Sequence, residues 1–149
     1  MASGILITAI SSGSGKTAAA CALMAAYQAQ NKKVSSCKCG PDYIDPMFHK
    51  EVLGVDSKNL DLFFSSEDEL RKEYAKHAAD AELVITEGVM GYYDGMRLDS
   101  VTASSYDVAR TLDIPAVLIL PCKGAALSLC AVVSGIVSFQ KDSNIQGSF

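Results

Sequence analysis

The chain has 149 residues, of which 49% are hydrophobic and 20% charged, with a mean hydropathy of +0.19. That composition supports one domain with one core and excludes a disordered chain or two full domains. A formal net charge of −4 leaves no broad basic surface for nucleic acid, so an anionic ligand has to be held locally.

Residues 5–10 form a continuous apolar run followed by Ser and Gly, the pattern of a buried parallel strand. Nothing basic precedes that run, so it does not read as a signal peptide. Residues 16–30, rich in Ala, Leu and Met, predict a helix that lies close to a sheet. A second strand is expected at 33–38, and Pro41, Pro46 and the aspartates between them predict a loop. Ser66-x-x-Glu69 is a capping-box pattern that opens a helix to about residue 79. Leu70, Tyr74, His77 and Ala78 give this helix a mostly apolar face, on which His77 reads as a partly exposed residue rather than a ligand.

A third strand is expected at 82–86, a helix at 102–112 and a fourth strand at 116–120. Residues 125–140 predict a helix that is apolar nearly all round and therefore covered on more than one side. This stretch is too short, and too interrupted by Ser128, Ser134 and Gly135, to cross a bilayer. Residues 144–149 read as the beginning of a further strand. Alternating strands and helices argue for an α/β fold with a mainly parallel sheet between two helical layers. The five cysteines, with no C-x-x-C pair, read as small thiols buried in a reducing cytosol. His49 and His77 lack metal-ligand spacing.

The sharpest local feature is Ser11-Ser12-Gly13-Ser14-Gly15-Lys16-Thr17, placed after a strand and at the start of a helix. That context suits a phosphate-binding loop better than a turn that only caps a helix. Glycines let successive N–H groups curl around phosphate oxygens, and the helix N-terminus adds its positive end. Lys16 would reach the β- and γ-phosphates, and the Thr17 hydroxyl would ligate Mg²⁺. The G-x-x-x-x-G-K-[ST] template asks for Gly where this chain has Ile10.

In open parallel sheets ligands bind outside the carboxyl ends of the strands. Three more polar clusters fall there: Lys38 to Pro46, Glu87 to Gly95, and Pro121-Cys122-Lys123-Gly124. Glu87 is placed to organise Mg²⁺, with Asp42 or Asp45 as a second acid, although a single aspartate in such a loop is ordinarily a turn former.

Lys38-x-Gly40-Pro41-Asp42-Tyr43-Ile44-Asp45-Pro46-x-Phe48-His49, Asn59-Leu60-Asp61 and Glu87-Gly88-Val89-Met90-Gly91-x-x-Asp94-Gly95 join the phosphate loop in a resemblance that spans nearly the whole chain. Together they resemble the amino-terminal ATP-binding domain of the cobyrinic acid a,c-diamide synthase family. A relative acting on nickel sirohydrochlorin shares the motifs. The resemblance implies a P-loop NTPase fold of the dethiobiotin synthetase type, with residues 1–149 forming an incomplete amidoligase domain. The implied partners are a tetrapyrrole substrate and a glutamine amidotransferase domain, in cis or in trans. That domain, and a strand and loop after Gly147, are expected to be missing from these residues.

The implied reaction is ATP-dependent amidation of the a and c carboxylates, through an acyl phosphate and with ammonia from glutamine. The implied triphosphate and Mg²⁺ site comprises Ser12, Gly13, Ser14, Gly15, Lys16 and Thr17, with Thr17, Glu87 and Asp45 on the metal. Lys38 would neutralise charge between the γ-phosphate and the substrate. Asp42, Tyr43, Asp45 and Asp94 would surround substrate and intermediate. Tyr43, Tyr92 and Tyr93 either offer faces to a flat macrocycle or are ordinary buried loop tyrosines. His49 either contacts the same loop or starts a helix. The family usually carries Gly where this chain has Ala9.

Three other readings compete: dethiobiotin synthetase itself, a switch ATPase of the MinD and ParA kind, and a nucleotide-binding remnant without activity. The GPDYIDP segment argues against the first, and Ser11, where those switches carry a lysine, argues against the second. An apolar last helix is expected to leave surface for self-association, with a homodimer as the simplest product.

Overall fold

The computed structural model describes residues 2–149. In chain order the elements are β1 (Ser3–Ala9), α1 (Lys16–Gln28), β2 (Val34–Cys39), α2 (Ile44–Leu53), β3 (Ser57–Leu60) and α3 (Glu67–His77). They continue with β4 (Leu83–Glu87), α4 (Ser105–Leu112), β5 (Ala116–Ile119), α5 (Ser128–Phe139) and β6 (Ile145–Ser148). All six strands are parallel, in the order β3-β2-β4-β1-β5-β6. The chain thus alternates as expected, and β4 returns to lie between β2 and β1.

Side chains along a strand alternate between its two faces, which gives the sheet two cores. On one face Ile7, Leu83 and Ile85 pack with Ala20 and Met24 of α1. On the other Leu6 and Val84 pack with Leu70 of α3 and with Tyr106, Val108 and Ala109 of α4. Both faces of β1 and β4 are therefore covered, the physical reason for their unbroken apolar runs. The predicted capping box is present: Ser66 Oγ accepts from Glu69 N–H and Glu69 Oε2 accepts from Ser66 N–H. His77 lies largely out of solvent, with Nε2 at 2.9 Å from Ser36 O.

The structure corrects several expectations. The segment after Pro41 is a loop only as far as Tyr43; residues from Ile44 onward form α2, with Pro46 in its first turn, where a missing N–H costs nothing. His49 lies inside that helix rather than at its start. β3 was not anticipated, because Ser57-Lys58-Asn59-Leu60 holds one apolar residue and pairs only with β2 at the sheet edge. Within residues 144–149, Ile145–Ser148 form a strand already paired with β5. No residue of α5 is buried, so the expectation of cover on several sides is wrong: Val132, Val137 and Phe139 are exposed. Cys37 and Cys39 are buried, but Cys122 and Cys130 are exposed and Cys21 is half-buried.

Candidate nucleotide-binding and catalytic site

The register of the sheet assembles the site. Lys38 and Glu87 are direct partners across β2 and β4, and Glu87 is also the partner of Ile7 on β1. The strand that carries the acid therefore runs beside the strand that feeds the loop into α1. Glu87 ends β4 and Lys38 stands one residue before the end of β2, so both heads lie at the carboxyl edge of the sheet, where α1 begins.

Gly13 and Gly15 hold φ of 73° and 93°, a region that L side chains rarely adopt, and Gly15 is the residue from which α1 starts. The loop curls despite Ala9 and Ile10. Ala9 is fully buried and its carbonyl accepts from Tyr92 N–H at 2.9 Å. Lys16 Nζ donates to Ser11 O at 2.9 Å and to Met90 O at 2.7 Å. Met90 has φ of 51°, uncommon outside glycine, which marks the loop after β4 as strained beside this lysine. Burial, and then the charge of Lys38, lower the Lys16 pKa from its ordinary value.

Glu87 is fully buried. Its Oε1 accepts from Thr17 Oγ1 at 2.5 Å and from Lys38 Nζ at 3.0 Å. Burial raises the pKa of the carboxyl group, but contacts from His49, Thr17 and Lys38 outweigh it and hold the group below the ordinary carboxylate range. Lys38 Nζ also lies 2.7 Å from Asp45 Oδ2 and 3.8 Å from Asp42 Oδ2. Burial disfavours its charge, and the hydrogen bonds and charges of Asp45 and Glu87 more than offset that, raising its pKa. Asp42 also has a turn role, since Oδ1 accepts from Ile44 N–H at 2.8 Å.

These groups share a cleft of about 500 Å³ lined by Gly13, Lys16, Thr17, Lys38, Asp42 and Glu87, among others. Ser12 and Gly15 line it as well. Ser14 Oγ pairs instead with Ser11 Oγ at 3.1 Å. Thr17 Oγ1 and Glu87 Oε1 are hard oxygen donors of the kind Mg²⁺ takes, and they lie side by side. Among the described residues no group of three or more His, Cys, Asp or Glu has metal-ligand geometry. A cation held here would therefore share its coordination with the ligand's own oxygens, as Mg²⁺ commonly does.

Asp94 faces a second cavity of about 320 Å³, which it lines with Asp61, Phe63, Val89, Met90 and Met96. Its Oδ2 accepts from Gly91 N–H at 2.8 Å and so shapes the turn. Tyr43 is 81% exposed beside the cleft, whereas Tyr92 is buried with its hydroxyl on Ser143 O, and Tyr93 packs its ring on Phe139. Of the three tyrosines only Tyr43 has an exposed ring; Tyr92 belongs to the core and Tyr93 packs against it. Residue-type reasoning missed the Met90 carbonyl, which no side chain signals. It also missed the burial of His49 against Glu87, at 3.5 Å between Nε2 and Oε2. The spacing of Asp45 and His49 on one helical face was the available clue.

A parallel sheet with a glycine loop between β1 and α1, and an acid on the adjacent strand, defines a P-loop nucleotide-binding α/β domain. Solved structures agree on the fold. The signal recognition particle receptor FtsY from Elizabethkingia anophelis has a TM-score of 0.65 at 14% identity, covering 95% of this chain and 48% of that one. An FlhF complexed with GMPPNP/Mg²⁺ has a TM-score of 0.58 at 12% identity, covering 92% of this chain and 52% of that one.

The chain belongs to the CobQ/CobB/MinD/ParA nucleotide binding domain family, whose model matches residues 5–132. It is 40% identical over 143 residues to a cobyrinate a,c-diamide synthase from Synechococcus sp., covering 96% of this chain and 31% of that protein. It is 42% identical over 143 residues to one from Clostridium acetobutylicum, covering 96% and 32% respectively. The resemblance carried by the motifs is borne out, and the chain spans about a third of the length of these relatives. No helix of the described residues is long and apolar enough to cross a membrane.

Proposed function

We propose that this chain is the nucleotide-activating part of a cobyrinate a,c-diamide synthase. In this reading it binds ATP with Mg²⁺ and activates the a and c carboxylates of the corrin ring for amidation. The observation that carries the reading is the convergence of Lys16, Thr17, Lys38 and Glu87 on one cleft, in a chain about 40% identical to proteins of that name.

A carboxylate is a poor electrophile, so one of its oxygens attacks the γ-phosphorus of ATP and ADP leaves, giving an acyl phosphate. Ammonia then attacks the acyl carbon, phosphate departs and a proton is released, leaving the amide. The first step brings anion to anion in a protein of net charge −4, so positive charge has to be concentrated locally. Lys16 would contact the triphosphate after leaving the Ser11 and Met90 carbonyls. Lys38, held by Asp45 and Glu87, would lie between the transferred phosphoryl group and the substrate carboxylate. Mg²⁺ would supply further charge neutralisation, held by Thr17 and Glu87 with Asp45 nearby. Asp42 lines the first cavity and Asp94 the second, Tyr43 follows Asp42 with its ring exposed, and the three would meet the macrocycle. Ammonia would come from glutamine hydrolysed by a partner domain in the cytoplasm.

Calorimetry tests the first half. Mg·ATP is expected to bind saturably and Lys16→Ala to abolish binding; unchanged binding in the variant refutes the loop assignment. The second half needs the chain fused to the remainder of a relative and supplied with ATP, Mg²⁺, free ammonia and cobyrinate. Mass spectrometry is then expected to show two carboxyl-to-amide conversions, and no amide product sinks the substrate assignment.

A further inference from the structure

Glu87 and His49 each carry one buried polar atom without a hydrogen-bond partner, and the two atoms face one another. Glu87 Oε2 and His49 Nε2 are 3.5 Å apart, at the outer limit of a hydrogen bond, and neither has another partner. Both side chains are at most 1% exposed, so solvent does not satisfy them. On the far side of the ring, Nδ1 lies 3.0 Å from Ser36 Oγ and 3.3 Å from Ser57 Oγ.

A neutral imidazole has one N–H, and serine hydroxyls rotate to donate or accept. A hydrogen on Nδ1 alone would set the Nε2 lone pair against carboxylate lone pairs in a dry interior, leaving both acceptors unsatisfied. A hydrogen on Nε2, with a serine donating to Nδ1, satisfies both sides of the ring.

We infer that His49 carries its hydrogen on Nε2 and is a positioning residue, donating to Glu87 Oε2 and fixing the carboxylate plane that presents Oε1 to Thr17. The architecture supports this, because Asp45 and His49 stand one turn apart on α2. Asp45 grips Lys38 at 2.7 Å while His49 faces Glu87, so one face of α2 clamps both members of the Lys38–Glu87 pair. The inference rests on the reading of Glu87 as the acid that organises the cation.

The hydrogen's place is read on the unmodified chain by long-range proton–nitrogen correlation of labelled histidine, with His77→Gln to separate the two rings. Hydrogen on Nε2 is expected; hydrogen on Nδ1 alone overturns the inference. In parallel, His49→Leu is expected to raise the Mg²⁺ concentration for half-maximal ATP binding about tenfold, the usual scale for losing a partner behind a metal ligand. ATP affinity in EDTA should be unchanged, and His49→Gln, which keeps a donor near the Nε2 position, should largely restore the Mg²⁺ dependence. Equal loss in both variants, or no loss in His49→Leu, refutes positioning. If Mg·ATP fails to bind the unmodified chain, the functional reading above falls, and the tautomer still decides this one. If His49→Leu does not fold, the tautomer again decides.

Discussion

Lys38 stands between Asp45 and Glu87 with 5% of its surface exposed. An ion cluster in such a place does not add stability by its mere presence, because desolvation consumes most of the Coulomb gain. Removing one member is different, since the others stay behind as uncompensated charge. Lys38→Met is therefore expected to destabilise the fold by roughly 3–5 kcal/mol, measured by urea unfolding. It also leaves Glu87 with weaker support for its charge, so the same variant should lose Mg·ATP binding beyond what its stability explains. A loss under about 1 kcal/mol, the range of exposed pairs, would mean that water reaches this cluster.

At the scale of elements, what was legible in the sequence were segments whose burial imposes one pattern. β1 and β4 are covered on both faces, so their apolar runs had no other reading, and the Ser66–Glu69 box announced α3 through its own capping chemistry. β3 and α2 were not legible, because the first is a short edge strand and the second leaves Ile44, Met47, Phe48 and Val52 exposed. The sequence placed Lys38, Glu87 and Thr17 at element ends, but their approach to within 3.0 Å is a product of strand order, which no local pattern encodes. The loop after β4 shows the same dependence on tertiary contact. A Cβ added at Gly91 would stand 2.7 Å from Ile10 O, backbone that cannot swing away. Gly91→Ala should therefore push the Met90 segment off the phosphate loop and weaken Mg·ATP binding about tenfold or more, while the far core holds. Nucleotide affinity by calorimetry checks this, and an unchanged value would show that the two loops move independently.

Across the whole molecule the titrating groups bound a window of stability. Glu87 has its folded pKa depressed below 4.5, so its contribution is full above that value and is lost as pH falls through the lower folded one. Exposed carboxylates add in the same direction: Glu67 held by Arg110, Glu69 by the Ser66 backbone and Glu82 by the Lys33 backbone. Lys38 is raised above 10.5, and burial pushes Tyr106 up to about 12, so these contributions are full below their unfolded values and vanish as pH rises through the folded ones. Lys16 acts the opposite way on the alkaline side, because burial, and then Lys38, lower its pKa. Burial also raises the thiols of Cys37 and Cys39, whose unfolded counterparts lose their protons from about pH 8.5, so stability starts to fall there. Urea midpoints are therefore expected to be flat between about pH 5 and pH 8 and to fall on either side. Glu87→Gln removes the one fully buried carboxylate among the depressed group, so its acid limb should be shallower than that of the unmodified chain. An acid limb of unchanged slope would place the acid sensitivity on the exposed carboxylates instead.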